Sequence, residues 1–279
     1  MDVFISVDLE GITGTVSFSQ CDHPDGKSEY PYARRMMTHD VNAAIRGARL
    51  AGAKRIVVKD AHWTCKNLLI DELETGIELI SGFGGEKDGM MDGVDSSFGA
   101  AMLVGYHVMP GGSPGVMDHA LVGGLHRFLV NGEAWGEIAT SAAVAAEYGV
   151  PLVAVSSDES GCEEARRMVP FVETFATKQG MAHSAARCLH PSVTGPGIEA
   201  ASKRGVEGAS RIKPARCPGP VTMRAEFVTT DEADPGTIVE GVTRVDGYTL
   251  EWTRPDFLSA HRLMQVVFRL SMVGRKADD

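Results

Sequence analysis

The sequence predicts an α/β fold: a mainly parallel sheet flanked by helices, with a second, smaller α+β domain. Short apolar runs recur at residues 3–7, 55–58, 101–104 and 152–156. Stretches with the 3.6-residue period of a helix lie between several of these runs. Continuous apolar runs are typical of parallel strands that are covered on both faces, and their alternation with helical stretches favours helices on both sides of one sheet.

The remaining elements follow from turn and helix-end signals. A polar loop is expected at residues 12–27, and a helix between Pro31 and Gly52, because proline suits the first turn of a helix and glycine suits its end. Asn131-Gly132 predicts a tight hairpin between strands at 128–130 and 133–135, since both turn positions require positive φ. Further strands are expected at 77–80 and 172–176, and helices at 137–148 and 162–168.

The character of the chain changes near residue 190. From there to residue 220, proline- and glycine-containing turns interrupt a polar helical stretch, which is typical of a domain boundary. Beyond it, strands are predicted at 221–227, 243–246 and 248–252 and an apolar helix at 257–270. We expect an α/β catalytic domain at residues 1–190 and a smaller α+β domain at residues 191–279, which supports assembly or shapes a pocket.

Composition and charge exclude several classes of protein. The chain is 43% hydrophobic and 23% charged, as in globular proteins, and has no run near the roughly 20 apolar residues that span a membrane. A net charge of −10 without a basic run disfavours a nucleic-acid partner and fits a small cationic or zwitterionic substrate. Five scattered cysteines predict neither a disulfide framework nor a zinc ribbon. The absence of a secretory signal pattern at the N-terminus favours the cytoplasm.

Two carboxylates follow the first predicted strand. Asp8 and Glu10 are two residues apart, so in an extended chain their side chains point the same way, and Gly11 lets the backbone turn away. Two buried carboxylates repel each other unless a cation or a proton lies between them. Two solvated acids in a loop would explain the pair equally well, so other residues must decide.

Histidines follow two more predicted strands. His62 follows the strand at 55–58, and His107 follows the strand at 101–104. Because the carboxyl ends of parallel strands meet at one edge of a sheet, these imidazoles should join the two carboxylates there. This mixture of ligands suits Zn²⁺, with Mn²⁺ or Co²⁺ as competitors. Glu137 could supply the further carboxylate of a two-metal centre, although an acid in the first turn of a helix also suits the helix dipole.

One other catalytic pattern occurs, at residues 111–115. It matches G-x-S-x-G with Ser113 at its centre, yet the next residue is Pro114, which has no N–H to donate to an oxyanion. The segment also has the character of a loop, whereas a nucleophile elbow is a strand-to-helix turn. A serine hydrolase is therefore the weaker alternative.

Five short motifs occur in a fixed order along the chain. They are Ser-Val-Asp-Leu-Glu-Gly at 6–11, Asp-Ala-His at 60–62, Gly-Tyr-His at 105–107, Pro-Gly-Val-Met-Asp-His at 114–119 and Gly-Glu at 136–137. Together they resemble the DppA-type D-aminopeptidases, a small class of zinc peptidases. The similarity covers most of the chain, is densest from residue 5 to about 189, and includes Lys178-Gln179 and Cys188-Leu189. Asp118 stands where a member of that family has serine, which leaves the following histidine in place.

The resemblance implies an activity and a set of site residues. The implied ligands of two zinc ions are Asp8, Glu10, His62, His107 and Glu137. Asp8 would bridge the two ions. His119 would be a catalytic residue that binds no metal. After metal-activated water attacks the first peptide carbonyl, it would move a proton to the leaving amine or stabilise the oxyanion. The implied substrates are short peptides with an N-terminal D-residue, D-Ala in particular. The implied assembly is a ring-shaped decamer with active sites facing an internal channel.

Three alternatives and two residue roles stay open. A binuclear metal hydrolase acting on another amide or ester would keep every ligand, a serine hydrolase would use Ser113, and a non-catalytic module would bind peptides without cleaving them. Asp60 could orient His62 or bond the local backbone. Lys178 could contact a substrate carboxylate, although a solvated lysine is the expectation we adopt.

Overall fold

The computed structural model describes residues 1–21, 28–83, 87–214 and 216–276. The predicted loop at 12–27 therefore extends beyond the described residues. The strands form two sheets. In chain order the strands are β1 (Asp2–Val7), β2 (Arg55–Asp60), β3 (Glu78–Ile80), β4 (Ala100–Val104), β5 (Leu125–Val130), β6 (Glu133–Ala134), β7 (Leu152–Asp158), β8 (Glu173–Ala182), β9 (Ala185–Cys188), β10 (Val221–Phe227), β11 (Val242–Arg244) and β12 (Thr249–Arg254).

Helices lie between several of these strands, and one follows the last strand. They are α1 (Phe18–Cys21), α2 (Tyr30–Leu50), α3 (Glu137–Glu147), α4 (Glu159–Met168), α5 (Pro191–Glu207), α6 (Thr230–Ala233) and α7 (Phe257–Lys276). Over the described part of the chain, none of them combines the length and the apolar character that crossing a membrane requires.

The larger sheet has seven strands in the order β3-β2-β1-β4-β7-β8-β9. Every neighbouring pair is parallel except β8 and β9. Alternate residues of β1 face opposite ways, so Val3 and Ile5 belong to the core beneath α2 and α5, whereas Phe4 belongs to the core shared with α3 and the second sheet. The predicted fold class, a mainly parallel sheet flanked by helices with a separate smaller unit, is confirmed.

The second sheet is antiparallel, with five strands in the order β11-β12-β10-β5-β6. It takes strands from both sides of residue 190, and α5, which follows residue 190, packs on α2 and on β7 and β8 of the larger sheet. The predicted division into residues 1–190 and 191–279 stays a prediction.

Local differences from the predicted elements have physical reasons. The hairpin is confirmed, with φ of 50° at Asn131 and 86° at Gly132. The expected strand at 172–176 continues to Ala182, where it pairs with the unpredicted β9. The glycines that suggested an interrupted stretch after residue 190 instead allow α5 to pack closely, since a Cβ on Gly197 would lie 2.0 Å from the Phe175 ring.

The carboxyl ends of three central strands meet in register, because Val7 of β1 pairs with Asp60 of β2 and with Val104 of β4. The chain leaving β1 is then held against the chain leaving β4. Gly11 N donates to Gly105 O at 2.7 Å. A Cβ on Gly11 would lie 1.8 Å from a backbone oxygen, Tyr106 O, so only glycine fits there.

Replacing Gly11 by alanine should lower the free energy of unfolding by about 3 kcal/mol, because two backbone segments would have to separate. Urea denaturation of the metal-free protein measures the change. Gly247→Ala is the matched control, since a Cβ at Gly247 meets its nearest atom at 3.5 Å and should change stability little. Equal stability of the two variants would contradict the close approach.

Candidate metal centre

The five side chains predicted from the sequence as metal ligands lie together at the carboxyl edge of the larger sheet. They are Asp8 and Glu10 after β1, His62 after β2, His107 after β4, and Glu137 at the first residue of α3. All five are buried, with exposed fractions between 1% and 7%. Residues far apart in sequence thus converge because parallel strands end at the same edge.

One group of ligand atoms comes from Asp8, Glu10 and His62. His62 Nδ1 lies 3.2 Å from Asp8 Oδ1 and 3.1 Å from Glu10 Oε2, while His62 Nε2 lies 3.3 Å from the carbonyl oxygen of Cys21. A carbonyl can only accept a hydrogen bond, so in the neutral ring Nε2 carries the proton. The lone pair of Nδ1 then faces the two carboxylates and is free to bind a cation.

A second group comes from His107, His119 and Glu137. His107 Nδ1 lies 3.0 Å from Val108 O, which places the proton on Nδ1 and directs the lone pair of Nε2 toward the carboxylates. His107 Nε2 is 3.4 Å from Glu137 Oε2 and 3.6 Å from Asp8 Oδ2. Within the described residues, His107 Nε2 and Asp8 Oδ2 are buried polar atoms with no hydrogen-bond partner.

These separations fit divalent zinc. Ligands about 2.0–2.1 Å from a tetrahedral zinc lie about 3.3 Å from one another. The nitrogen–oxygen separations around Asp8 fall on either side of that value, at 3.2 Å to His62 and 3.6 Å to His107. The two oxygens of Asp8 face different imidazoles, which is the arrangement a bridging carboxylate requires. A cation bound at this place would account for the two unpartnered buried atoms.

The charges at the centre point to the same conclusion. Burial raises the pKa of Asp8 well above its usual value, and the neighbouring Glu10 and Glu137 carboxylates raise it further. Burial also opposes ionisation of Glu137, yet the adjacent His107 holds the pKa of Glu137 at about 2. Without a cation, one of the three carboxylates is thus disfavoured as an anion.

His119 lies beside the second group and is more accessible than the five predicted ligands. Its ring stacks on His107, with centroids 4.1 Å apart and planes 5° from parallel, and meets the edge of Phe18. His119 Nε2 is 3.9 Å from Glu137 Oε1 and 4.0 Å from Glu10 Oε1. Burial, together with the charge of His107, lowers the pKa of His119, so the ring is neutral near pH 7. This position suits a proton carrier, and it also suits a metal ligand.

The structure decides between the two roles considered for Asp60. Its carboxylate accepts hydrogen bonds from Asn67 N at 2.6 Å, from Asn67 Nδ2 at 2.9 Å and from Leu68 N at 2.8 Å. Asn67 Nδ2 also donates to His62 O at 2.8 Å. Asp60 therefore bonds the local backbone after β2, and it fixes the main chain of His62 rather than its ring.

The expectation of a solvated Lys178 is wrong. This lysine is 2% exposed, and its ammonium donates to backbone carbonyls of the chain that leaves β1. Sequence reasoning also missed Glu164 of α4, whose Oε2 accepts from Met109 N at 2.8 Å. Burial raises the pKa of Glu164 to about 7. Neither residue carries a local sequence signal of burial, since both look like ordinary charged residues of a strand and a helix.

The G-x-S-x-G segment lies away from any strand-to-helix turn. Ser113 is exposed in the loop between β4 and β5. This position agrees with the sequence-based objection to a serine nucleophile, because the elbow geometry that raises a serine above a sheet is not present there.

Comparisons with known proteins agree with the geometry. A family model described as D-aminopeptidase matches residues 1–266. A curated D-aminopeptidase from Bacillus subtilis (strain 168) is 31% identical over 273 residues, which cover 98% of each chain. A solved structure, described as the Zn-dependent D-aminopeptidase DppA from Bacillus subtilis, a self-compartmentalizing protease, superposes with a TM-score of 0.93 at 31% identity and 98% coverage of both chains.

Proposed function

The chain belongs to the D-aminopeptidase family, and from this premise we propose that it is a binuclear zinc aminopeptidase that removes an N-terminal D-residue, D-Ala in particular, from short peptides. The observation that carries the proposal is the convergence of three buried carboxylates and two imidazoles at one place. Two of their atoms, Asp8 Oδ2 and His107 Nε2, have no hydrogen-bond partner among the described residues. The relative whose fold superposes is described as Zn-dependent, which supports the choice of metal.

The proposed ligands fall into two sets that share Asp8. His62 Nδ1 lies near both Asp8 Oδ1 and Glu10 Oε2. His107 Nε2 lies near both Asp8 Oδ2 and Glu137 Oε2. Zinc bound there would polarise the peptide carbonyl and lower the pKa of a bound water toward about 7. The three carboxylates would offset three of the four positive charges of two such ions.

His119 is the proposed proton carrier. Its Nδ1 lies 2.7 Å from Met117 O, so in the neutral ring Nδ1 holds the proton and Nε2 is free to accept one on the side of the ligands. Stacking against His107 fixes the plane of the ring. With 20% of its side chain exposed, His119 can reach a substrate and give the proton to the leaving amine.

We also propose that the chain assembles into a closed homo-oligomer, a decameric ring in the first instance. The superposing relative is described as self-compartmentalizing, and its match covers 98% of both chains. Closed rings arise when a head-to-tail interface returns to its start.

Removing metal should abolish activity. After dialysis against a strong chelator, release of alanine from D-Ala-D-Ala should fall at least a hundredfold, because water and carbonyl lose their activation, and added zinc should restore it. L-Ala-L-Ala should be cleaved much more slowly throughout.

Metal binding should weaken as the pH falls, because the ligand carboxylates and imidazoles must be deprotonated. Ninhydrin detection of free amino acid and metal analysis of the same samples are the measurements.

Each alternative gives a different result in this assay. Hydrolysis that survives chelation and yields to an active-serine reagent would point to Ser113. Metal-dependent cleavage of esters or other amides, with no release of D-alanine, would point to a different hydrolase. Tight dipeptide binding without release of amino acid would indicate a binding module.

Replacing His119 by alanine should lower kcat by about 10²–10⁴-fold while leaving the zinc content near that of the unaltered chain. His126→Ala, at an exposed histidine of β5, is the control and should change neither quantity. A loss of zinc from the His119 variant would show that His119 is a metal ligand, against the role proposed here.

A further inference from the structure

The chain that follows β1 is an unusually buried loop. Residues 8–15, called here the ligand loop, carry Asp8 and Glu10 and are buried except for the half-buried Gly14. Buried backbone N–H and C=O groups must find partners, because water cannot reach them. The partners of this loop therefore determine where its two carboxylates point.

A β-bulge in β8 supplies two of these partners. Ser157 of β7 pairs with Ala176, but the next residue of β7, Asp158, pairs with Lys178, so Thr177 is an extra residue in β8. Successive side chains of a regular strand point to opposite faces, whereas a bulge re-aims one of them. Thr177 and Lys178 consequently both reach the ligand loop.

The two side chains hold successive carbonyls of the loop. Thr177 Oγ1 donates to Gly11 O at 2.7 Å. Lys178 Nζ donates to Glu10 O at 2.5 Å, to Ile12 O at 2.9 Å and also to Thr15 O. An ammonium group has three donors, and all three are used here. Lys178 therefore has no donor left for a substrate carboxylate.

A buried charge of opposite sign holds the same loop from another direction. Asp40 of α2, which is 0% exposed, accepts from Thr13 N at 2.9 Å and from Thr13 Oγ1. The Lys178 ammonium thus donates to carbonyls of the loop, and the Asp40 carboxylate accepts from an N–H of the loop. Burying each of these charges is unfavourable unless such partners are present, so loop and charges fix one another.

We propose that Lys178 is a positioning residue for the metal centre, assisted by Thr177 of the same bulge. The inference rests on the proposed function, and it assigns to this lysine the task of holding Asp8 and Glu10 in a converging arrangement before any metal arrives. Since the two carboxylates repel each other in the metal-free protein, an unrestrained loop would let them separate. A restrained loop keeps the ligands ordered, so metal binding does not have to order them.

The test compares two substitutions at buried lysines. K178M removes the ammonium and leaves the carbonyls of Glu10, Ile12 and Thr15 without it. K59M is the matched control, because Lys59 of β2 is 1% exposed and its ammonium lies 3.4 Å from Gly82 O, outside the ligand loop. Zinc affinity is measured by competition with a chromophoric chelator, and loop order by hydrogen exchange of the metal-free proteins.

We expect K178M to raise the zinc dissociation constant at least tenfold and to speed amide exchange at residues 8–15, with the rest of the larger sheet unchanged. K59M should keep the dissociation constant within about twofold of the unaltered chain. K178M that binds zinc as tightly as the unaltered chain, with unchanged exchange in the ligand loop, would overturn the proposal.

A milder substitution covers the case in which K178M does not fold. T177V removes the hydroxyl that donates to Gly11 O and also lies 3.1 Å from Ser157 O of β7. It should raise the zinc dissociation constant a few-fold, with faster exchange at residues 8–15. An unchanged dissociation constant and unchanged exchange in T177V would then overturn the proposal. Failure of the unaltered chain to bind zinc would instead refute the proposed function, so the two failures are distinguishable.

Discussion

Mutual repulsion among three buried carboxylates is the constraint on which the rest of this structure depends. Asp8, Glu10 and Glu137 lie at one edge of a sheet, each nearly inaccessible to water. Such a group is stable only if positive charge stands among its members. Burial opposes protonation of His62 and His107, yet the adjacent carboxylates raise the pKa of both imidazoles well above its usual value, so without metal the protonated rings contribute part of this charge. Among the described residues, the unpartnered atoms Asp8 Oδ2 and His107 Nε2 mark where more is needed. The proposed pair of divalent ions would satisfy the carboxylates, the imidazoles and these atoms together.

The fold holds this arrangement through its backbone. Parallel strands bring three loops to one edge, and close contact at Gly11 locks the chain after β1 against the chain after β4. Two buried charged residues then hold the ligand loop by hydrogen bonds. Lys178 donates to its carbonyls, and Asp40 accepts from one of its N–H groups. The centre is consequently ordered by hydrogen bonds to the main chain, which would not compete with a bound metal for ligand side chains.

Much of the site could be predicted from sequence because it follows from local patterns. Asp8, His62 and His107 each lie within four residues of the end of an apolar run, and the ends of parallel strands must meet. Pairing between distant segments has no such local signal, so the joining of β5 to β10 was not foreseen. The burial of Lys178 was missed for a related reason, since its three acceptors lie more than 160 residues earlier in the chain. At the level of the sequence, the role expected of His119 follows from the family resemblance alone, because no local pattern marks this histidine.

The central claim is that two metal ions share the carboxylate of Asp8, and anomalous diffraction at the zinc edge tests it most directly. Crystals of the zinc-loaded protein should show two anomalous peaks. One should lie among Asp8, Glu10 and His62, and the other among Asp8, His107 and Glu137. A single peak, or peaks remote from these five residues, would contradict the account.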